Sequence, residues 1–390
     1  MPVRHDILAE KENLIKLRRW FHMHPEPALE EIKTCQKITE ELDKLGIVYE
    51  YIAKTAIVAK IVGKKSNSSK VVALRSDIDA LRMDDLKSVS YKSKHEGLCH
   101  ACGHDAHTAT LIIAAKILKV KENEFSGEIR LLFQPAEEIG GGAHLFVEQG
   151  LLKDVDRVFS VHVSSRIESG KVAITPGSVQ ASCDYFKIDV KGLGAHVAQP
   201  ERGVDALYIA SQMVVNLQTI VSRNTAALES VIVGVGVLNA GTQYNIVAEN
   251  AVLEGTTRTF TSEIREFTNK RVTEIINQTA KLFDGEATIT WKDYAPPVIN
   301  DDEVAKVAQA IAKKIYGEEN VITNQQRQLG ADDYALMMNE VKGVYAYVGT
   351  ENKNDSNTAV AHHHGLFDID EEALLASTQL YVDFALLHLE

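Results

Sequence analysis

The sequence predicts an α/β protein with a smaller α+β unit inserted in it. Short apolar runs at 57–62, 71–74 and 128–133 have the length of buried strands, and stretches with apolar residues at helical spacing lie before and after them. From about 183 to 293 the predicted order is strand, helix, strand, strand, helix, strand. This order is the split pattern of ferredoxin-like units, which can be inserted whole into another domain.

The chain of 390 residues is long enough for two domains. We expect a first domain formed by 1–182 and 295–390, and an inserted domain at 183–294. The first part has predicted helices and strands at 7–23, 30–45, 57–62, 71–74, 108–120, 128–133 and 155–163. The inserted domain has them at 185–190, 204–221, 231–237, 251–260, 262–283 and 287–292, and the last part at 302–316, 344–348 and 371–389, the final one an amphipathic helix.

Two stretches near the N-terminus allow a structural or a functional interpretation. The first helix carries Arg18, Arg19, His22 and His24 near its end at His24-Pro25, and we interpret it as a solvent-exposed terminal helix with a capping histidine. Asp77 and Asp79 alternate directly after the strand at 71–74. They could reach into a site at the carboxyl edge of a sheet, or they could be ordinary surface carboxylates.

Composition excludes several classes of function. A formal net charge of -12 argues against a nucleic-acid surface, which requires clustered Lys and Arg. The charged N-terminal segment has no apolar core like that of a signal peptide, and no apolar run approaches the roughly 20 residues that span a bilayer. Four cysteines are too few for a disulfide framework. We expect a cytoplasmic protein without a nucleic-acid or membrane partner.

The stretch from Cys99 to His107, Cys-His-Ala-Cys-Gly-His-Asp-Ala-His, predicts a metal site. It places two thiols and three imidazoles before an apolar helical run, and these are good ligands for zinc, manganese, nickel and cobalt. Gly103 allows a tight turn, so that Cys102 and His104 could face one ion. A redox pair formed by Cys99 and Cys102, or a four-ligand structural zinc site, are the alternatives.

Three further groups of residues could complete such a site. Glu137 and Glu138 follow a predicted strand and precede three glycines, so one carboxylate could bind a metal while the other handles protons. His162 interrupts an apolar strand, where a histidine is more often a hydrogen-bonded core residue. The run His362-His363-His364 in a glycine-bounded loop is a further metal hypothesis.

Five motifs occur along the chain: Cys-Gly-His-Asp-Ala-His at 102–107, Gln-Pro-Ala-Glu-Glu at 134–138, Val-His-Val at 161–163, Gly-Ala-His at 194–196 and the three histidines at 362–364. Together and in this order, they closely resemble the motifs of the two-metal aminoacylase and carboxypeptidase family of metallohydrolases. The resemblance extends over nearly the whole chain and is to the amidohydrolase branch, which includes hippurate hydrolases, auxin-conjugate hydrolases and N-acetyldiaminopimelate deacetylases. It implies a metallopeptidase-like catalytic domain of mixed sheet flanked by helices, with an inserted ferredoxin-like lid that also serves dimerisation. It also implies two divalent ions (Zn, Mn, Ni or Co) and the metal ligands Cys102, His104, Glu138, His162 and His363.

The resemblance further implies an activity and its residues. Glu137 matches the general base that activates a metal-bridged water, and His196 matches a lid histidine that stabilises the oxyanion, in relatives often across a dimer interface. Asn245 and Arg258 match positions associated with the substrate carboxylate. The implied reaction is cleavage of the amide bond of an N-acyl amino acid, by a homodimer or higher homo-oligomer. The alternatives are an aminopeptidase or dipeptidase of the same fold, acting on a dipeptide, and a non-catalytic metal-retaining binding protein.

Overall fold

The protein is described by a computed structural model over residues 3–66 and 68–389. The chain divides into two compact units. The first contains Met1–Val179, Ile299–Gln326 and Asp332–Glu390, and the second contains Gln180–Val298 and Arg327–Ala331. The interval 183–294, predicted as the insertion, falls inside the second unit.

The secondary structure alternates along the chain. The helices are α1 (His5–Leu8), α2 (Lys11–Met23), α3 (Ile32–Lys44), α4 (His104–Val120), α5 (Ala143–Glu148), α6 (Ala206–Thr219), α7 (Ser262–Leu282), α8 (Asp302–Tyr316), α9 (Tyr334–Glu340) and α10 (Ala373–Leu389). The strands are β1 (Val48–Tyr51), β2 (Ile57–Val62), β3 (Val71–Asp77), β4 (Glu128–Gln134), β5 (Arg157–Glu168), β6 (Val172–Ala173), β7 (Gly177–Gln180), β8 (Cys183–Lys191), β9 (Ile232–Ala240), β10 (Asn250–Arg258), β11 (Glu286–Ala295), β12 (Val298–Asn300), β13 (Val321–Ile322) and β14 (Gly343–Glu351).

The first unit is built on an eight-stranded mixed sheet, which confirms the predicted fold class. Its strand order is β1-β2-β4-β3-β5-β14-β6-β13, and the central pairs β4-β3, β3-β5 and β5-β14 are parallel. Every residue of β3 is buried, as expected for a strand covered on both faces. The carboxyl ends of these parallel strands lie at one edge of the sheet, where ligands of open α/β sheets usually bind.

Helices α4 and α10 pack against each other in the hydrophobic core of the first unit. Nearly every side chain of α10 is buried, so its prediction as an amphipathic helix was wrong. Its sequence is apolar on all sides, which is typical of a helix enclosed by other elements. The predicted helix at 7–23 is interrupted, since α1 ends at Leu8 and α2 begins at Lys11.

The second unit has an antiparallel sheet of order β11-β8-β10-β9 with α6 and α7 packed on it. Its chain order, β8-α6-β9-β10-α7-β11, confirms the predicted ferredoxin-like pattern. Buried and more exposed residues alternate along β8, so one face of the sheet carries the core with Phe186 and Ile188. The strands β7 and β12 form a separate two-stranded sheet. Among the described residues, no helix has the length and apolarity that crossing a membrane would require.

Candidate metal centre

The five predicted metal ligands lie together in the first unit. The Cys102 thiol sulfur is 3.6 Å from His162 Nε2. The Glu138 carboxylate lies near the other two predicted ligands. Its Oε1 is 3.8 Å from His104 Nε2, and its Oε2 is 3.4 Å from His363 Nε2. One thiol, one carboxylate and three imidazoles therefore lie together. They come from four separate segments: the start of α4, the turn after β4, strand β5 and the loop before α10.

Gly103 is required for the approach of α4 to this place. It precedes the helix with a φ of +94°, in the left-handed region that side chains other than hydrogen disfavour. A Cβ atom there would lie only 2.3 Å from Cγ2 of Val163 on strand β5. The glycine therefore provides both the turn between Cys102 and His104 and the close packing of α4 on the strand that carries His162.

Backbone carbonyls fix the tautomers of two of the histidines. His104 Nδ1 lies 2.9 Å from the Asp79 carbonyl oxygen, and His162 Nδ1 lies 2.7 Å from that of Val163. A carbonyl only accepts, so in the neutral imidazole each Nδ1 carries the proton, and the lone pair that can bind a metal is on Nε2.

Two polar atoms at the centre fit the presence of a metal. Within residues 3–66 and 68–389, neither His104 Nε2 nor Glu138 Oε1 has a hydrogen-bond partner, although both are buried. Buried polar atoms are rarely left unpaired, because each costs about 1–3 kcal/mol. A divalent cation would satisfy both, and the donor set of imidazole, thiolate and carboxylate suits a borderline transition metal.

The turn that carries the glutamate pair is held by two buried carboxylates. Glu31 Oε1 accepts a hydrogen bond from the Ala136 N–H at 2.9 Å, and the two oxygens of Asp79 accept from the N–H groups of Glu137 and Glu138 at 3.1 Å each. Ala136 has a φ of +54°, which is uncommon for a residue with a side chain. Asp79 is thus a buried anchor of the candidate site and not a surface carboxylate.

Asp77 is also buried, and it orients His107, which supports the predicted ligands. Its Oδ1 accepts from His107 Nδ1 at 2.6 Å, while His107 Nε2 accepts from the Val163 N–H at 2.9 Å. Ligand atoms of Asp77, His104, His107 and His162 lie within 4.8 Å of one another. Both ring nitrogens of His107 are nevertheless already engaged, so this histidine supports the site and does not contribute a lone pair to it.

The electrostatic field of the centre favours positive charge. Burial lowers the pKa of His104, but Asp77, Asp79 and Glu138 outweigh it and raise the pKa to about 10. Burial, with Glu138 next, raises the pKa of the Cys102 thiol well above its ordinary value. The residues around these two ligands therefore hold excess negative charge, which a bound cation would compensate.

Glu137 lies beside the centre in a group of carboxylates. Oxygens of Glu137, Asp332 and Asp333 lie within 4.8 Å of one another, all buried. Burial, followed by the charge of Asp332, raises the pKa of Glu137 well above its ordinary value. The Arg75 guanidinium partly compensates this charge, since it is 3.0 Å from Asp332 and 2.7 Å from Asp77. Asp332 and Asp333 were not among the predicted site residues, although an adjacent acidic pair preceding a short helix is a usable signal.

A second buried ion-pair network supports the start of α4. Asp105 accepts hydrogen bonds from Arg18 at 2.9 Å and His22 at 2.6 Å, and all three side chains are fully buried. The prediction that Arg18 and His22 are solvent-exposed was therefore wrong. Burial would raise the pKa of Asp105, but Arg18 and His22 hold it well below its ordinary value.

The Cys99 thiol lies in this buried region and forms no disulfide. All four cysteines are free among the described residues. Ligand atoms of Cys99, His22 and Asp85 lie within 4.8 Å of one another. Lys87 already brings an ammonium group to them, 3.0 Å from Asp85 Oδ1 and 3.9 Å from the sulfur. This group is therefore a charge-compensated cluster and not a further metal site.

The other predicted residues, His196, Asn245 and Arg258, lie in the second unit. His196 and Asn245 occupy neighbouring segments, because the Val197 N–H donates to the Asn245 carbonyl oxygen at 3.1 Å. Arg258 ends β10, and its Nη1 is 3.4 Å from the carbonyl oxygen of Leu329.

The chain is similar to known metallohydrolases over almost its whole length. Residues 73–387 match peptidase family M20/M25/M40. An N-acetyl-L-cysteine deacetylase of Bacillus subtilis is 39% identical, with 95% of this chain and 87% of the relative covered. A hippurate hydrolase of Campylobacter jejuni is 35% identical, with 99% of each covered. A solved structure described as a dinuclear metal binding peptidase from the M20 family, from Bacillus subtilis, superposes with a TM-score of 0.84 at 30% identity, with 98% of this chain and 99% of that chain covered.

Proposed function

Because the chain belongs to peptidase family M20/M25/M40, we propose that it is a metal-dependent amidohydrolase that cleaves the amide bond of N-acyl amino acids. The names of two relatives, an N-acetyl-L-cysteine deacetylase and a hippurate hydrolase, describe enzymes that cleave amides of this type. The observation that carries the proposal is the placement of Glu137 beside a convergent set of metal-ligating side chains in one buried centre.

The proposed ligands of two divalent ions, Zn, Mn, Ni or Co, are Cys102, His104, Glu138, His162 and His363. The unpaired buried atoms and fixed tautomers described above support this assignment. When bound, divalent ions supply a Lewis acid that polarises the amide carbonyl and acidifies water.

The protein's own part in the reaction is proton transfer and orientation. Glu137 accepts a proton from the attacking water and donates it to the leaving amine. Burial, followed by the charge of Asp332, raises the pKa of Glu137, so its carboxylate is a stronger base towards the attacking water than an ordinary glutamate. Asp79 orients the backbone of Glu137 and Glu138 through two hydrogen bonds.

The second unit supplies the remaining proposed roles. The domain at 183–294 acts as a lid, His196 donates a hydrogen bond to the oxyanion, and Asn245 and Arg258 bind the substrate carboxylate. A guanidinium can grip a carboxylate with two parallel hydrogen bonds. The proposed assembly is a homodimer or higher homo-oligomer. The proposed location is the cytoplasm, which is supported by the four free thiols.

The test is hydrolysis by the purified, metal-loaded protein. We expect release of free amino acid from N-acetyl or N-benzoyl amino acids, loss of this activity on chelation, and recovery when metal is returned. Glu137→Gln should lower kcat by at least about 100-fold with metal content unchanged. Glu148→Gln, at an exposed position at the end of α5, is the control and should leave kcat unchanged.

Three results would contradict the proposal in different ways. Full turnover by Glu137→Gln would remove this residue from the mechanism. Hydrolysis of dipeptides alone would favour the aminopeptidase or dipeptidase alternative. Binding of acyl amino acids in calorimetry, with no product detected by mass spectrometry, would indicate a binding protein.

A further inference from the structure

His362 precedes the proposed ligand His363 and lies beside the Cys102 side chain of the same centre. Its Nδ1 lies 3.7 Å from the Cys102 sulfur, and its Nε2 lies 3.4 Å from the backbone N–H of Ser165. The ring packs on Phe367, with ring centroids 4.6 Å apart, and lies 5.5 Å from the ring of His162. His362 and His363 therefore differ in their contacts, although the sequence presents them as one run of three histidines.

The partners of the ring determine which nitrogen carries its proton. A backbone N–H can only donate, so Nε2 of His362 accepts from Ser165 and is unprotonated in the neutral imidazole. The proton of that imidazole is then on Nδ1, the atom that faces the Cys102 sulfur. A metal-ligating cysteine is a thiolate, which has no proton of its own and can only accept.

We propose that His362 is a positioning residue that donates an N–H···S hydrogen bond to the Cys102 thiolate. The inference rests on the proposed function, because it takes Cys102 as a metal ligand. It adds to that function a residue that acts on the ligand and not on the substrate. Phe367 packs on the ring and restricts its position.

A hydrogen bond to a ligating thiolate changes its chemistry. It draws electron density from the sulfur, so the thiolate becomes a weaker electron donor and a weaker nucleophile. Two consequences follow. The sulfur-to-metal charge-transfer transition moves to higher energy, and attack of the sulfur on oxidants or alkylating agents becomes slower.

The alternative is that His362 itself binds a metal ion in place of His363. The contacts favour the donor role, because Nδ1 of His362 faces sulfur, whereas Nε2 of His363 lies 3.4 Å from the Glu138 carboxylate. The two roles differ in what happens to metal content when the imidazole is removed.

The experiment compares cobalt-loaded wild-type protein with His362→Phe, His362→Gln and, as a control, His364→Phe. His364 belongs to the same loop but is exposed. For His362→Phe we expect an unchanged cobalt stoichiometry and a sulfur-to-cobalt absorption band shifted to longer wavelength. Alkylation of Cys102 by iodoacetamide, measured by peptide mass mapping, should be several-fold faster than in the wild type. Since the amide of glutamine can donate to sulfur, His362→Gln should restore part of both changes, and His364→Phe should show neither.

The outcomes separate this inference from the proposed function. An unchanged band and alkylation rate in His362→Phe, with cobalt bound, would overturn the hydrogen bond alone. Loss of one cobalt ion from this variant would identify His362 as a ligand and would also overturn the inference. Absence of any thiolate band in the wild-type protein would remove Cys102 from coordination and would contradict the proposed metal assignment itself.

Discussion

Glu31 offers a test of how the turn with the two glutamates is held. Its buried carboxylate accepts the Ala136 N–H at 2.9 Å, directly before Glu137. Burial, with the nearby charge of Asp79 as the next cause, raises the pKa of Glu31 from 4.5 to about 7. The substitution Glu31→Gln keeps an oxygen that can accept the same hydrogen bond and removes the charge.

The magnitude follows from proton linkage. Between pH 4.5 and about 7 the folded state binds more protons at Glu31 than the unfolded state does, so stability falls as the pH rises through this interval. Relative to a glutamate with an unshifted pKa, the raised pKa of Glu31 lowers the free energy of unfolding by about 3 kcal/mol at pH 8 and by about 1 kcal/mol at pH 5.5. Glutamine does not ionise, so the stability advantage of Glu31→Gln over the wild type should grow by about 2 kcal/mol between these two pH values.

The assay is urea denaturation at pH 5.5, 7 and 8, monitored by circular dichroism. The control is Glu30→Gln, which removes the adjacent glutamate at an exposed position and should give a difference that does not depend on pH in this way. A Glu31→Gln advantage that is constant with pH, or that is largest at pH 5.5, would refute the assignment of a raised pKa to Glu31.

Three further substitutions test the packing of the centre. Asp79→Ala removes the acceptor of two backbone N–H groups. It should lower the free energy of unfolding by about 2–4 kcal/mol and kcat by about 100-fold, and Asp79→Asn should be less affected. An unchanged kcat would contradict the anchoring role of Asp79. Gly103→Ala should lower the melting temperature more than Gly170→Ala, because both glycines have a positive φ but only Gly103 adds a steric collision; equal losses would contradict this account. Asp105→Asn should lower the free energy of unfolding by about 1.5–3 kcal/mol in urea denaturation, since Arg18 loses one charged partner but keeps Asp368 at 3.0 Å. A loss below about 1 kcal/mol would indicate that the pair of Arg18 and Asp105 is not stabilising.

The family and the fold class could be predicted from the sequence because their signals are local. Cys102, His104, Glu137 and Glu138 belong to short motifs, and the order of elements in the second unit can be read from hydrophobic periodicity. The comparisons confirm the family, and the mixed sheet confirms the fold class.

The supporting residues could not be predicted because their environment is made by distant parts of the chain. His22 resembles an exposed residue at a helix end until Asp105, 83 positions later in the sequence, packs against it. The role of Asp79 depends on its hydrogen bond to the backbone N–H of Glu137, which is 58 positions later in the sequence. Local patterns identify side chains that can do chemistry, whereas burial and hydrogen-bond partners depend on tertiary packing.

The most direct test of the central claim is a crystal structure of the metal-loaded protein with anomalous diffraction measured at the absorption edge of the metal. The account predicts two ions per chain, no coordination by Glu137, and the protein ligands Cys102, His104, Glu138, His162 and His363. A single ion bound by the carboxylates of Asp332 and Asp333, or two ions without Cys102 among their ligands, would contradict it.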